Sequence, residues 1–438
     1  MTDVDLNAGV LAPVGDEVHL SEGITVEGRI PEEVNGLLVR NGPNPYDGRF
    51  SGGSMLDWWT GPAMVHVLAI DDGRVGWYRN RWINPSPSGG DDGPRWANTN
   101  VNAIWFAGSI LALGEGAPPV RIGPDLDPLG PTTFGGRLPA GMMAHPKIDP
   151  ATGELRFFRA DWQPPFLQVG AIDSDGLVTD LREVDIAKPM MMHDFAITDR
   201  FDIVLDLNVG LDLRLVELGL PLPLRWIDDH RSRLGAVPRD GTEPTWFDIE
   251  PCFIQHVVNG YELPGDRLVL DTVRYPDFLR FDPERSRHLP NPLGVLWRYE
   301  LDLATASVVE SQLDDMAIEL PRIDERHIGR HHDRLYAVEQ PSDREMRGLR
   351  RYDLATGAHQ RFQVDPGDQN SEAVFVPGGS AEGDGWLLSC VYRAATDTTD
   401  VVMLNAQDLA APPQAVIRLP RRLPAGFHGS WVPADGST

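Results

Sequence analysis

Of the twelve histidines in this sequence, four sit where metal chemistry would need them: His145 in MAHPKID, His193 in MMHDFAIT, His256 in EPCFIQHVVNGYE and His428 in AGFHGSW. Each ends or interrupts a short apolar or aromatic run. A lone histidine in such surroundings is more often a hydrogen-bonded core residue than a ligand, so the count by itself carries nothing. Spacing carries more. His145 and His193 lie 48 residues apart and His193 and His256 lie 63 apart, and further steps of 63, 53 and 56 reach Glu319 in IELPRI, Glu372 in SEAVFVP and His428. Four neutral imidazoles suit a borderline divalent ion such as Fe(II), Zn or Cu, and leave its double charge unopposed. Carboxylates one layer out would answer that charge by accepting the second ring N–H of each ligand and fixing its tautomer. Glu319 and Glu372 stand at the right intervals for this, although either alone reads equally well as a satisfied strand-end carboxylate.

Residues so distant in sequence converge only if a repeated element returns each of them to one axis, which is what the innermost strands of a β-propeller do. A repeat is present. The turn phrase Asp149-Pro-Ala-Thr-Gly153 recurs at Asp302, at Asp353 and, loosely, at Asn405, with start points 153, 51 and 52 residues apart. A unit of about 51 residues fits them all, close to the roughly 40–50 of a four-stranded blade. Between the turns run short aromatic and β-branched segments such as VGWYRNRW (75–82), RFDIVLDL (200–207) and GWLLSCVY (385–392), which predict strands. No alternation of strands with helices is seen. The expectation is an all-β chain in which residues 1–30 form an extended arm and residues 31–438 one propeller domain. The apolar stretch 208–226 breaks the pattern; Pro221 and Pro223 would stop a helix there, and the segment predicts an insertion packed on the propeller or the lip of an apolar entrance.

Composition narrows the partners. The chain has 438 residues with 44 Gly and 38 Pro, a turn-rich balance, and a formal charge of -26 that speaks against a nucleic-acid surface and against anionic headgroups. Contact with a membrane would therefore rest on apolar area, for which 208–226 is the candidate. Cys252 and Cys390 fall in predicted buried strands and are expected to be free thiols in a reducing cytoplasm. The N-terminal segment has no basic-then-apolar export signal. His327, His331 and His332, in DERHIGRHHDR, predict a solvated blade edge, and His66 in GPAMVHVLAI has no counterpart at blade spacing.

Further segments make the chain recognisable: RNGPNP (40–45), AMVH (63–66), WYRNRW (77–82), ANTNV (97–101), LALGEGAPP (111–119), AHPKIDPATGEL (144–155), ELPRIDER (319–326), SEAVFVPGG (371–379) and GDGWLL (383–388), together with the four histidine segments. In this order they resemble the carotenoid cleavage oxygenases over essentially the full length. The resemblance implies a seven-bladed β-propeller with short helices and loops capping the metal-bearing face. It implies Fe(II) held by His145, His193, His256 and His428, with Glu115, Glu319 and Glu372 behind the rings and Thr99 near an open coordination position. Glu115 enters on this ground alone. The activity implied is dioxygenase cleavage of a C=C bond in a carotenoid or apocarotenoid with O2, giving two carbonyl products. Two departures stand out. Trp59-Thr60-Gly61-Pro62-Ala63-Met64 replaces the family's Phe-Asp-Gly-Asp-Gly-Met, and Gly114 stands where members that activate a stilbene phenol carry Lys. Cleavage of a stilbene of lignostilbene or resveratrol type is the alternative, followed by an isomerohydrolase and by a non-catalytic propeller scaffold.

Overall fold

The computed structural model describes residues 5–84, 98–220, 222–342 and 345–436. Pro221, Ala97 and residues 1–4 of the expected arm lie outside the described residues. Strands form where the aromatic and β-branched runs predict them, and they assemble as seven antiparallel blades around one axis.

Blade 1 joins the two ends of the chain: Gly429–Pro433 lies innermost, followed outward by Gly36–Pro43, Ala63–Asp71, Arg74–Trp82 and His19–Leu20. Blade 2 runs from Asn102–Phe106 to Pro128–Pro131, blade 3 from Lys147–Ile148 to Val178–Glu183, and blade 4 from Ala196–Ile197 to Thr245–Asp248. Blade 5 begins with Phe253–Leu263. Its outermost strand, Ser307–Arg322, continues past residue 317 to become the innermost strand of blade 6, pairing there with Arg334–Glu339. Blade 7 starts with Val374–Pro377 and is finished on its outer edge by Thr25–Gly28. The first thirty residues thus supply edge strands to two blades.

Burial follows position. Strands flanked by blades on both faces are buried throughout, as in Phe201–Asp206, whose six residues are all buried and whose two aspartates are paired with Arg156 and Arg233; outer strands such as Ala358–Phe362 keep exposed or half-exposed residues. Val39, Val65 and Val67 of blade 1 meet Ala103, Ile110 and Ala112 of blade 2, one of several apolar layers between neighbouring blades. Each such valine or isoleucine contributes about 1.5–3 kcal/mol by leaving water.

Two expectations change. The turn phrase does not mark equivalent places: Asp302, Asp353 and Asn405 each follow the third strand of a blade, whereas Asp149 follows the first strand of blade 3. What the four share is local chemistry, a side-chain oxygen capping a backbone N–H two or three residues on, at 2.8–3.1 Å. The histidine-rich run is not all solvated. His331 is exposed, but His332 is 1% exposed, with Asn259 at 3.3 Å and Asp271 at 3.6 Å. His66 is in the third strand from the axis and pairs with Tyr78 at 2.8 Å, so it does not line the centre.

The 208–226 stretch is an insertion in blade 4: a hairpin of Val209–Leu211 with Leu224–Trp226, carrying the single helical turn Arg214–Glu217 at its tip. Met191 N–H donates to Val209 O at 2.8 Å, which seats the hairpin on the face from which His193 enters the propeller. The other α-helix among the described residues, Met55–Trp59, is also one turn, started by a reciprocal Ser54–Asp57 capping box. No helix of the described residues is long and apolar enough to cross a membrane.

Candidate metal centre

The seven inner strands begin near one face, and each brings one polar residue to its start. His145, His193 and His428 stand one to three residues ahead of their strands; His256 lies inside Phe253–Leu263, where pairing skips from Ile254 to Val257. Glu319 precedes Leu320, a residue in left-handed conformation (φ 51°), and Glu372 and Thr99 stand two and three residues ahead of the inner strands of blades 7 and 2.

The four histidines are brought together. All are largely buried, and one ring nitrogen from each falls within 4.8 Å of the other three. Nε2 of His145 is 3.1 Å from Nε2 of His193, and Nε2 of His256 is 3.2 Å from Nε2 of His428. The glutamates stand behind the rings. Glu115 Oε1 lies 2.7 Å from His193 Nδ1, Glu319 Oε2 2.5 Å from His256 Nδ1, and Glu372 Oε2 3.3 Å from His428 Nδ1. A carboxylate at Nδ1 assigns the ring proton to that nitrogen and leaves Nε2 with a bare lone pair. His256 and His428 therefore aim two lone pairs at each other across 3.2 Å. That contact repels unless a proton or a cation sits between them, and a divalent ion relieves it for all four rings at once.

Charge in the pocket follows. Burial, reinforced by the other three imidazoles, holds His145 well below the ordinary histidine range. Burial likewise outweighs Glu372 at His428 and keeps it lowered. At His193 burial is overcome by the Glu115 carboxylate and the proton is held more tightly than usual. Glu372 is buried, yet Arg322 and His428 bring its carboxyl down to about 2. Glu319 is also lowered despite burial, through His256, the Tyr275 hydroxyl and the Leu320 N–H at 2.7 Å.

Thr99 is fully buried, and its hydroxyl has no hydrogen-bond partner among the described residues; its carbonyl accepts Asn41 Nδ2 at 2.6 Å. Gly114 packs against this segment so closely that a Cβ there would come within 2.2 Å of Asn98 O. The departing loop at 59–61 is tied to the same strand start: Asn98 and Asn100 side chains donate to the Trp59, Thr60 and Gly61 carbonyls at 2.8–3.1 Å.

Several site residues were not singled out from sequence. Asp194 accepts Lys147 Nζ at 2.7 Å and Val257 N–H at 2.8 Å, and so cross-links the strands carrying His145, His193 and His256. Its only sequence signal is its position directly after His193. Tyr275 hydrogen-bonds Glu319 and Arg322 hydrogen-bonds Glu372, contacts between separate elements that no spacing announces. A cavity of about 240 Å³ adjoins the cluster, lined in part by His145, His256, His428, Lys147, Asp194 and Arg322.

An all-β propeller with four buried histidines and three carboxylates at its centre defines a class of metal-dependent protein. This chain belongs to the carotenoid oxygenase family, whose model, described as retinal pigment epithelial membrane protein, matches residues 11–433. A carotenoid cleavage oxygenase of Mycobacterium tuberculosis is 33% identical, with 97% of each chain covered. Among solved structures, cobalt-substituted Synechocystis apocarotenoid oxygenase superposes with a TM-score of 0.84 at 26% identity over 98% of each chain. The Pseudomonas brassicacearum lignostilbene dioxygenase gives 0.88 at 25% identity over 98% of this chain and 99% of that one.

Proposed function

We propose that this chain is a non-haem Fe(II) dioxygenase that cleaves a C=C bond of a carotenoid or apocarotenoid with O2 to two carbonyl products. His145, His193, His256 and His428 would hold the ion, Glu115, Glu319 and Glu372 orient three of these rings, and Thr99 would lie near a position left open on it. The observation that carries the reading is the approach of His256 and His428 Nε2 to 3.2 Å with a carboxylate behind each Nδ1, an arrangement that calls for a cation. When bound, the iron supplies O2 activation next to the alkene. The chain's own work is positional. The three carboxylates hold the rings of His193, His256 and His428 in one tautomer with Nε2 inward, and no side chain need act as general acid or base.

Gly114 favours a carotenoid-type substrate over a stilbene. Any side chain there would meet Asn98 O, so the lysine that activates a phenol has no room without a backbone shift. The insertion fits an apolar substrate: Leu213, Val216 and Leu218 are 64%, 54% and 55% exposed at its tip, above the segment that carries His193. We read them as a reversible contact with a membrane or micelle in the cytoplasm, where the two buried free thiols need no oxidising compartment.

The test is to incubate purified, ferrous-loaded protein with a panel of carotenoids, apocarotenoids and hydroxystilbenes under isotopically labelled O2 and to weigh the products. Aldehydes or ketones from a polyene, both carrying label, are expected. Cleavage of hydroxystilbenes alone would move the assignment to the alternative, and unlabelled rearranged product would replace cleavage with isomerisation.

A further inference from the structure

The three glutamates are not equivalent. Among the described residues Glu115 and Glu319 face their histidines with no cation against either carboxylate, whereas Glu372 also meets Arg322. Arg322 Nη1 donates to Glu372 Oε2 at 3.1 Å and to Gly429 O at 2.8 Å, while Gly429 N–H donates to Glu372 Oε1 at 2.5 Å. Gly429, the residue after His428, is thus bracketed between a carboxylate on its N–H and a guanidinium on its carbonyl. The histidine held this way has the longest ring-to-carboxylate contact of the three, 3.3 Å against 2.7 and 2.5 Å. The Arg322 side chain is 15% exposed, and its outer nitrogen pairs with Glu325, whose side chain is 43% exposed. Counted as charges, a divalent ion with three carboxylates leaves one negative charge in a buried centre, and Arg322 is the cation in contact that cancels it.

We propose that Arg322 is a positioning residue that seats His428 through Glu372 and also sets the net charge, and hence the ferric/ferrous balance, of the iron site. This rests on the iron reading above. A nearby cation penalises the ferric state more than the ferrous state, so Arg322 raises the midpoint potential and keeps the ion in the form that meets O2. Glu325, on the solvent side of the guanidinium, partly offsets it.

The experiment is potentiometric titration of the iron-loaded full chain, wild type beside Arg322→Gln, Arg322→Lys and Glu325→Gln. Expected are a negative shift of the midpoint for Arg322→Gln, a value near wild type for Arg322→Lys, which keeps the charge, and a positive shift for Glu325→Gln. The last variant alters a half-exposed side chain and remains informative if Arg322→Gln fails to fold. A purely structural role would lower the melting temperature of both Arg322 variants and leave every potential unmoved, and that result overturns the inference. A wild-type chain that takes up no ferrous ion overturns the iron reading and this inference with it; iron bound with unmoved potentials overturns this inference alone.

Discussion

Of the four proposed ligands His256 is the most tightly embedded, with Glu319 2.5 Å behind it and His428 3.2 Å ahead. His256→Ala should reduce bound iron to a trace while far-UV circular dichroism stays that of the wild type, because the strand around it is held by its own ladder. Glu319 keeps its bonds from Tyr275 and the Leu320 N–H but loses the imidazole, which should cost about 1–3 kcal/mol, visible as a lower melting temperature. Stoichiometric iron in that variant would refute the ligand assignment. Glu372 gives a pH signature in the metal-free protein. Its carboxyl falls from 4.5 to about 2 in the fold, so its contribution is complete above its unfolded value and is lost as pH falls from there through the folded value. The size is roughly 3 kcal/mol. Melting temperature measured from about pH 6 to pH 2 should fall less steeply for Glu372→Gln than for the wild type; parallel curves would count against the prediction. At this scale much was legible. The metal-binding residue types and their one-per-blade intervals stand in the sequence, whereas Asp194, Tyr275 and Arg322 act through contacts between strands that only the closed ring creates.

The hairpin at 208–226 is the element whose chemistry is least explained by packing. Its apolar tip is exposed, and its strand Val209–Leu211 is anchored to the residues just before His193. Changing Leu213, Val216 and Leu218 together to Asp should leave melting temperature and iron content within error, since no core layer loses a member. Co-sedimentation with zwitterionic vesicles should drop several-fold, as should turnover of carotenoid delivered in micelles. Undiminished sedimentation would remove the membrane role. The apolar character of this segment was plain in the sequence, but its form was not: the chain makes a hairpin with one helical turn because its short strands pair with each other. A second feature was hidden for a related reason. Ser307–Arg322 serves two blades, and nothing in its composition marks where pairing passes from one neighbour to the other.

A ring of blades has no end until the chain's last strand meets its first. The interval of about 51 residues between turn phrases has the size of a blade, while the number seven came from family resemblance, because three turn phrases at that spacing do not say where a circle closes. Closure is made by Gly429–Pro433 against Gly36–Pro43, in five paired positions from Gly36 with Pro433 to Arg40 with Gly429. This strand buries Trp431 and Val432 between blades and follows directly on His428. One short segment therefore completes the circle, the core and the metal site together. Ending the chain after Phe427 would strip blade 1 of its innermost strand, expose the Gly36–Pro43 edge and take from Glu372 and Arg322 their bonds to His428 and Gly429. That chain should lose its sharp thermal transition, bind no iron and associate through the open edge. Ending it after Pro433 removes only peripheral contacts, such as Ala434 N–H to Asn35 O, and should keep both the transition and the iron. Calorimetry and metal analysis of the two truncations decide the matter: a cooperative, iron-loaded protein ending at Phe427 would mean that the propeller does not depend on this strand for closure.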